Sequence, residues 1–244
     1  PLTSYTATLY NNESKRGVVD FTTTAKVPDA DYTAFLQSSD SLNNDLFTTM
    51  AEAGYQTVNI ALPAGSIYYN ENSLNIPDGM SVTFFGLPGE KQAIIGVKSI
   101  DIAGTHDFIK FENVEITGAS MKADGNNTIN DYLFNQSKAS TVGSIEFSNS
   151  LINGFKNTPV RLQGSDIKVI DLVKFENCTV FGADARTYSL IHIDASSGKG
   201  KIENIEFSKT TVIYSGKCLV YSRNTDFTSL KLADCTFSKL LGSG

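Results

Sequence analysis

One pattern recurs down the chain and restricts its fold more than any other feature. Five segments share it: Ile109-Lys-Phe111-Glu-Asn113, Ile145-Glu-Phe147-Ser-Asn149, Val173-Lys-Phe175-Glu-Asn177, Ile205-Glu-Phe207-Ser-Lys209 and Leu230-Lys-Leu232-Ala-Asp234. Their central residues lie 36, 28, 32 and 25 positions apart, and Phe84 and Ile60 extend the series backwards by 27 and 24. A second apolar triplet falls between successive copies, aligned as Tyr132-Leu-Phe134, Val160-Arg-Leu162, Ile191-His-Ile193 and Leu219-Val-Tyr221. From its end to the next copy of the first pattern takes 11, 11, 12 and 9 residues, so the length variation sits in the other turn. Short strands joined by turns too brief for crossover helices wind a chain into stacked parallel coils. The expected fold is all-β, a right-handed parallel β-helix (a single-chain solenoid).

Parity within the pattern places the corners. Ile109, Phe111 and Asn113 share a face, yet the next apolar residue, Ile116, has the opposite parity, and Ile152 and Val180 repeat the slip. Asn tolerates the left-handed backbone that such a corner needs, so Asn113, Asn149 and Asn177 are expected to form an internal ladder. The position after the corner holds Val114, Ser150, Cys178, Thr210 and Cys235, small in every copy. Cys178 and Cys235 then sit two rungs, ~10 Å, apart, beyond the ~7 Å reach of a disulfide, and are expected to be free, inert thiols. The outward slot reads Lys110, Glu146, Lys174, Glu206, Lys231, alternating in sign and setting the register.

Ahead of the repeats, residues 1–24 alternate apolar and polar and turn at Asn11-Asn12, which predicts a β-hairpin. Residues 41–53 carry Leu42, Leu46, Phe47, Met50 and Ala53 at helical spacing, with Asp40 or Ser41 as N-cap and Gly54 as the residue after the helix. The organisation is therefore a hairpin over 1–24, a linker and N-terminal capping helix over 25–54, and the β-helix over 55–244.

Composition narrows the function classes. A chain of 244 residues with 41% hydrophobic residues buries a substantial core. Its net charge of −6 and lack of a basic run supply no footprint for a phosphate backbone, so no nucleic acid partner is expected. No stretch reaches the ~20 apolar residues of a membrane-spanning helix. The three cysteines lack metal-ligand spacing, and neither metal nor cofactor is expected.

With the helix, the turn Ala61-Leu62-Pro63-Ala64-Gly65 and the Ile-x-Phe-x-Asn repeat, residues 40–240 resemble the pectate-lyase-like right-handed parallel β-helix superfamily. The nearer likeness is to surface lipoproteins of Gram-negative gut bacteria that join fibronectin type III-like modules to such a β-helix. The stretch Thr6 to Thr24 looks like the last two strands of one such module. The resemblance implies a location outside the cell or on its outer surface. Separately, the start at Pro1 is compatible with a leader removed beforehand, and the uncovered solenoid end at Leu240-Leu241 is expected to be followed by more protein. The resemblance also implies polysaccharide as the partner. It transfers no catalytic residue, because the calcium-binding aspartates and stacked carboxylate pairs of those enzymes have no counterpart in the repeats.

The remaining chemistry gathers on the second strand. The alignment places Arg161 and His192 in one outward column and Asn135, Gln163, Asp194 and Ser222 in the next, with Arg223 adjacent. Arg pairs with carboxylates and His serves as a base, so the group is read as a ligand-binding candidate, with two alternatives: a solvated Arg-Asp pair, or catalysis on an acidic glycan. His106 is read as a loop residue. The insertion from Gly118 to Asp131, with Lys122, Asp124, Asn126, Asn127 and Asn130, is read as a recognition loop, and Tyr68, Tyr69, Tyr188 and Tyr214 as ring faces for sugars.

Overall fold

The computed structural model describes residues 4–22, 27–121, 125–182, 188–213, 216–225 and 227–239. Three parallel sheets of eight, seven and six strands form the walls of a β-solenoid of about seven turns. The pairing is in register: Phe84, Phe111, Phe147, Phe175, Phe207 and Leu232 lie over one another on the eight-stranded sheet. The five rings stack nearly parallel at centroid separations of 5.1, 5.2, 4.7 and 4.8 Å, close to the strand spacing itself. All five are buried, which makes the column the spine of the core.

The corner residues behave as their parity requires. Asn113, Asn149, Asn177, Lys209 and Asp234 all adopt positive φ, between 49° and 54°. At four of the five corners the small residue that follows closes the corner by donating back to the carbonyl two positions before it: Ser150 Oγ to Ser148 at 2.7 Å, Cys178 Sγ to Glu176 at 3.3 Å, Thr210 Oγ1 to Ser208 at 2.9 Å and Cys235 Sγ to Ala233 at 3.2 Å. Cysteine here stands in for a hydroxyl. No disulfide joins Cys178, Cys218 and Cys235, and burial pushes the Cys178 thiol up to about 11.

The expected internal asparagine ladder is corrected. Asn149 and Asn177 are exposed, and a single rung, Asn177 Nδ2 to Asn149 Oδ1 at 2.8 Å, joins them. The Asn113 amide instead donates to the Gly86 carbonyl at 2.9 Å, and Gln92 bridges to Asn149 O. A left-handed corner turns its side chain outward, so the asparagines serve the backbone and not the core. His106 is likewise no loop residue. It lies in the strand Gly104–Glu112, buried, with Nδ1 2.7 Å from the Met80 carbonyl.

The helix spans Asn44–Glu52, shorter than 41–53, and its N-cap is Asn43, whose Oδ1 accepts from Leu46 N. Asp40 is occupied in the preceding turn, where it accepts from Gln37 N. Leu42, Phe47 and Met50 are buried while Ala53 is exposed, and Gly54 at φ 83° follows the helix end. Phe47 meets Phe84 edge-on at 6.1 Å, so the helix stoppers the first coils as a capping helix should. The hairpin Ser4–Asn11 and Ser14–Thr22 is antiparallel and turns through Asn12 and Glu13, both at positive φ, one residue later than expected. The insertion after Gly118 folds as a second small hairpin, Ala119–Met121 with Asn127–Ile129, while Lys122 and Asp124 lie outside the described residues.

The solenoid walls differ outside. On the eight-stranded sheet the charge column is in register as expected, with Lys110–Glu146 at 3.3 Å and Lys231–Glu206 at 2.6 Å. Lys174 turns along its own strand to Glu176 at 2.6 Å, so the ladder is broken at its middle.

Candidate functional site

The six-stranded sheet carries the polar cluster, but in a different register from the sequence alignment. Phe134 pairs with Val160, and Ile191 with Val220, so the Tyr132 triplet moves by two residues and the Leu219 triplet by one. Asn135, Arg161, His192 and Tyr221 therefore form one column. Ser222 pairs with Ile193 and leaves the polar column expected for it. Alternation alone could not set this register, because Tyr132 and Val220 both fit an apolar position.

Arg161 is the centre. Its Nε and Nη2 donate to Asp194 Oδ1 and Oδ2 at 3.1 and 2.7 Å, a forked pair, and its Nη1 donates to the Tyr132 hydroxyl at 3.1 Å. The guanidinium also lies over the Tyr132 and Tyr188 rings, 5.3 and 5.4 Å from their centroids. Burial opposes the Arg161 charge, but the hydrogen-bonded Asp194 outweighs it and holds the group above its ordinary value. Tyr132 donates its own hydroxyl proton to the Tyr188 hydroxyl at 3.1 Å and accepts from Asn157 at 3.0 Å. Burial pushes its phenol up to about 12.

His192 is buried beneath this layer, with only 6% of its surface exposed. Its Nδ1 accepts from the Ser189 N–H at 3.4 Å, which leaves the neutral ring's proton on Nε2, 3.9 Å from Asp194 Oδ2. The ring stacks on Tyr221 at 4.7 Å and meets Tyr188 at 4.8 Å, and Lys217 lies over the Tyr221 ring at 4.3 Å. Burial lowers the His192 pKa, with Asp194 opposing and Arg161 and Lys217 adding to the effect.

The structure thus brings together four of the six expected residues: Asn135, Arg161, His192 and Asp194. Gln163 is half-buried one position beyond Leu162, its backbone N–H bonded to Gln136 O. Arg223 is exposed at the rim, its backbone N–H bonded to Ile193 O. Sequence reasoning missed Tyr132, Asn157 and Lys217 as members, since they come from the strand edge and from turns. Tyr188, read from the sequence as a ring face, joins the group. Tyr68 instead points inward and donates to Gln37 O, and Tyr214 lies outside the described residues.

The arrangement restricts the chemistry. Arg161 has both prongs of its fork and Nη1 engaged, so it is no free receptor for a carboxylate. His192 is sheltered under the tyrosines. Asp194 accepts from Arg161 with one lone pair on each oxygen and keeps the others, and its side chain is 22% exposed. The Tyr132 hydroxyl already donates once and accepts twice, so what remains for a ligand is the Asp194 carboxylate, the Tyr188 hydroxyl and the aromatic edges. Among the described residues no group of three or more His, Cys, Asp or Glu is placed to hold a metal ion, and no helix is long and apolar enough to cross a membrane. No family model, no curated protein and no solved structure matches the chain.

Proposed function

We propose that the chain is a non-catalytic β-helix of the pectin-lyase-like type, displayed on the outer surface of a Gram-negative cell, that binds polysaccharide on its six-stranded sheet. The observation that carries this reading is the tyrosine-walled Arg161–Asp194 fork, a pre-ordered patch whose remaining carboxylate lone pairs and Tyr188 hydroxyl suit sugar hydroxyls. Rigid groups bind with little ordering entropy left to lose. The buried, neutral His192 and the engaged Arg161 weigh against the alternative of a lyase or hydrolase, whose base and cation must reach substrate.

The test is a panel of acidic and neutral polysaccharides assayed with the purified chain for binding and for release of reducing or unsaturated ends. Binding without release, weakened at least ten-fold by Tyr188→Ala and by Arg161→Gln, is the expected result. Release abolished by His192→Ala would establish the enzyme instead. No binding to any glycan would leave a rigid spacer or adhesin as the function.

A further inference from the structure

The end of the capping helix meets the first coils around a small cavity. Its volume is about 210 Å³, and it is lined by Ala51, Gly54, Tyr55 and Gln56 at and just after the helix end, and by the turn from Asp78 to Met80. Met80 is buried beneath it, whereas Ala51, Gly54, Gln56 and Asp78 are exposed, so the cavity opens to solvent.

Both sides of the cavity are fixed by bonds to neighbouring coils. Met80 N donates to Pro77 O at 3.1 Å, Gly79 N to Thr105 O at 2.9 Å and Thr105 N to Asp78 Oδ1 at 2.7 Å. Gly104 packs so closely on that carboxylate that a Cβ there would fall 2.4 Å from Oδ1. Asp78 is therefore held through one oxygen, while Oδ2 accepts no hydrogen bond from the described residues. On the helix side, Gln56 N and Thr57 N donate to Asp31 Oδ2 at 3.1 and 2.9 Å. The Tyr55 ring stacks on Tyr32 at 4.8 Å, which leaves its other face, its edge and its hydroxyl.

The charges here run against what helix stability asks for. A helix C-terminus carries partial negative charge and is stabilised by Lys, Arg or His in its last turn. This helix has no basic residue there and ends on Glu52, and Asp78 adds a second carboxylate at the cavity. No Lys or Arg lines it. A carboxylate oxygen, a phenol and a side-chain amide beside the helix end offer acceptors and negative charge, the complement of an ammonium group, to which a tyrosine ring adds cation–π attraction. The dimensions select the size of the occupant. The volume equals that of about seven waters in the liquid and falls below the ~300 Å³ at which drug-sized pockets begin. A small molecule fits, and a sugar chain does not.

We propose that this cavity binds a small molecule through a primary ammonium group, which donates to Asp78 Oδ2 and sits against the Tyr55 ring. The site lies at the capped end of the solenoid and stands without the six-stranded-sheet patch. Titration of the isotope-labelled chain with ethanolamine, followed by its amide shifts in NMR, tests the proposal. Ethylene glycol, the neutral molecule of the same size, and choline, whose nitrogen carries no proton, are the comparisons. Ethanolamine is expected to shift the amides of Gly54, Tyr55, Gln56 and Gly79, choline to bind more weakly and ethylene glycol not at all. Asp78→Asn keeps an acceptor for Thr105 N but removes the charge, and should weaken ethanolamine binding ten-fold or more. Ala51→Leu fills the cavity from an exposed position that leucine suits as a helix former, and should do the same. Glu206→Gln, on the outside of the eight-stranded sheet, should leave binding unchanged. Binding that persists in Asp78→Asn, an equal response to ethylene glycol or choline, or no shift at the four amides would overturn the proposal.

Discussion

At the scale of single residues, the outcome at each position follows from what its neighbours leave unsatisfied. His192 is held neutral by burial and by the Ser189 N–H on its Nδ1. Its folded pKa lies below the ordinary value of about 6.5, so the unfolded chain takes up the proton first as the pH falls. The stability from this residue is complete above about pH 6.5 and is lost as pH drops through the lower folded value. Thermal melts between about pH 7.5 and 4.5 should therefore show a decline that is smaller in His192→Gln, which has no ring to titrate. Lys168 presents a different solution. It is fully buried in the strand Lys168–Glu176 and donates to the carbonyls of Asp166 and Ser137, so the ammonium ties together the turns of adjacent coils. Burial lowers its pKa, with Asp166 opposing. Lys168 shares the inward parity of Ile170, two positions on, so alternation points it at the core, and only the folded turns supply the carbonyls that satisfy it there.

At the scale of the elements, the corner and the aromatic column do separate jobs. The corner asks for positive φ, which a side chain other than Asn or Gly adopts at a penalty of ~1–2 kcal/mol. Lys209 carries that penalty at φ 49° and is exposed. Lys209→Asn should raise stability by about 1 kcal/mol, read as a higher midpoint in urea with an unchanged slope. The column asks for volume. Phe147 is fully buried between Phe111 and Phe175, and Phe147→Ala should destabilise by about 3–5 kcal/mol in the same measurement. Leu232, at the end of the column and 50% exposed, should lose far less on truncation to alanine.

At the scale of the whole molecule, a solenoid is a one-dimensional stack in which each coil is held mainly by its neighbours. The coil containing Ser229–Ala233 has a neighbour on one side only among the described residues, and Leu230 and Leu232 are exposed there. At the other end, Phe47 and the helix Asn44–Glu52 cover the first coils. Hydrogen exchange should therefore run as a gradient, with the amides of Ser229–Ala233 exchanging well before those of Ser140–Ser148. Uniform protection along the stack would contradict this one-dimensional picture. The alternating charge column adds little to the gradient, since its pairs are accessible to water and screened by salt.

The repeat itself was legible because a parallel stack places identical positions above one another at every turn. Phe111, Phe147, Phe175 and Phe207 had to be spaced by whole coils, and their corners had to follow at a fixed offset, so periodicity alone predicted the coil, its register on the long sheet and the free cysteines. The short strands offered no such constraint. Three apolar or half-apolar residues can be slid by one or two positions without breaking alternation, which is why the column of Asn135, Arg161, His192 and Tyr221 emerged only with the folded stack. The same holds for every group that arrives from a turn. Asn157, Tyr188 and Lys217 gather around Arg161 and His192, beside Tyr132 at the start of its strand, because turns of unequal length fold back onto one wall. Local pattern specifies which face a strand residue takes. Only the packed stack decides which distant side chains share that face, because contact between them depends on distances that no single repeat encodes.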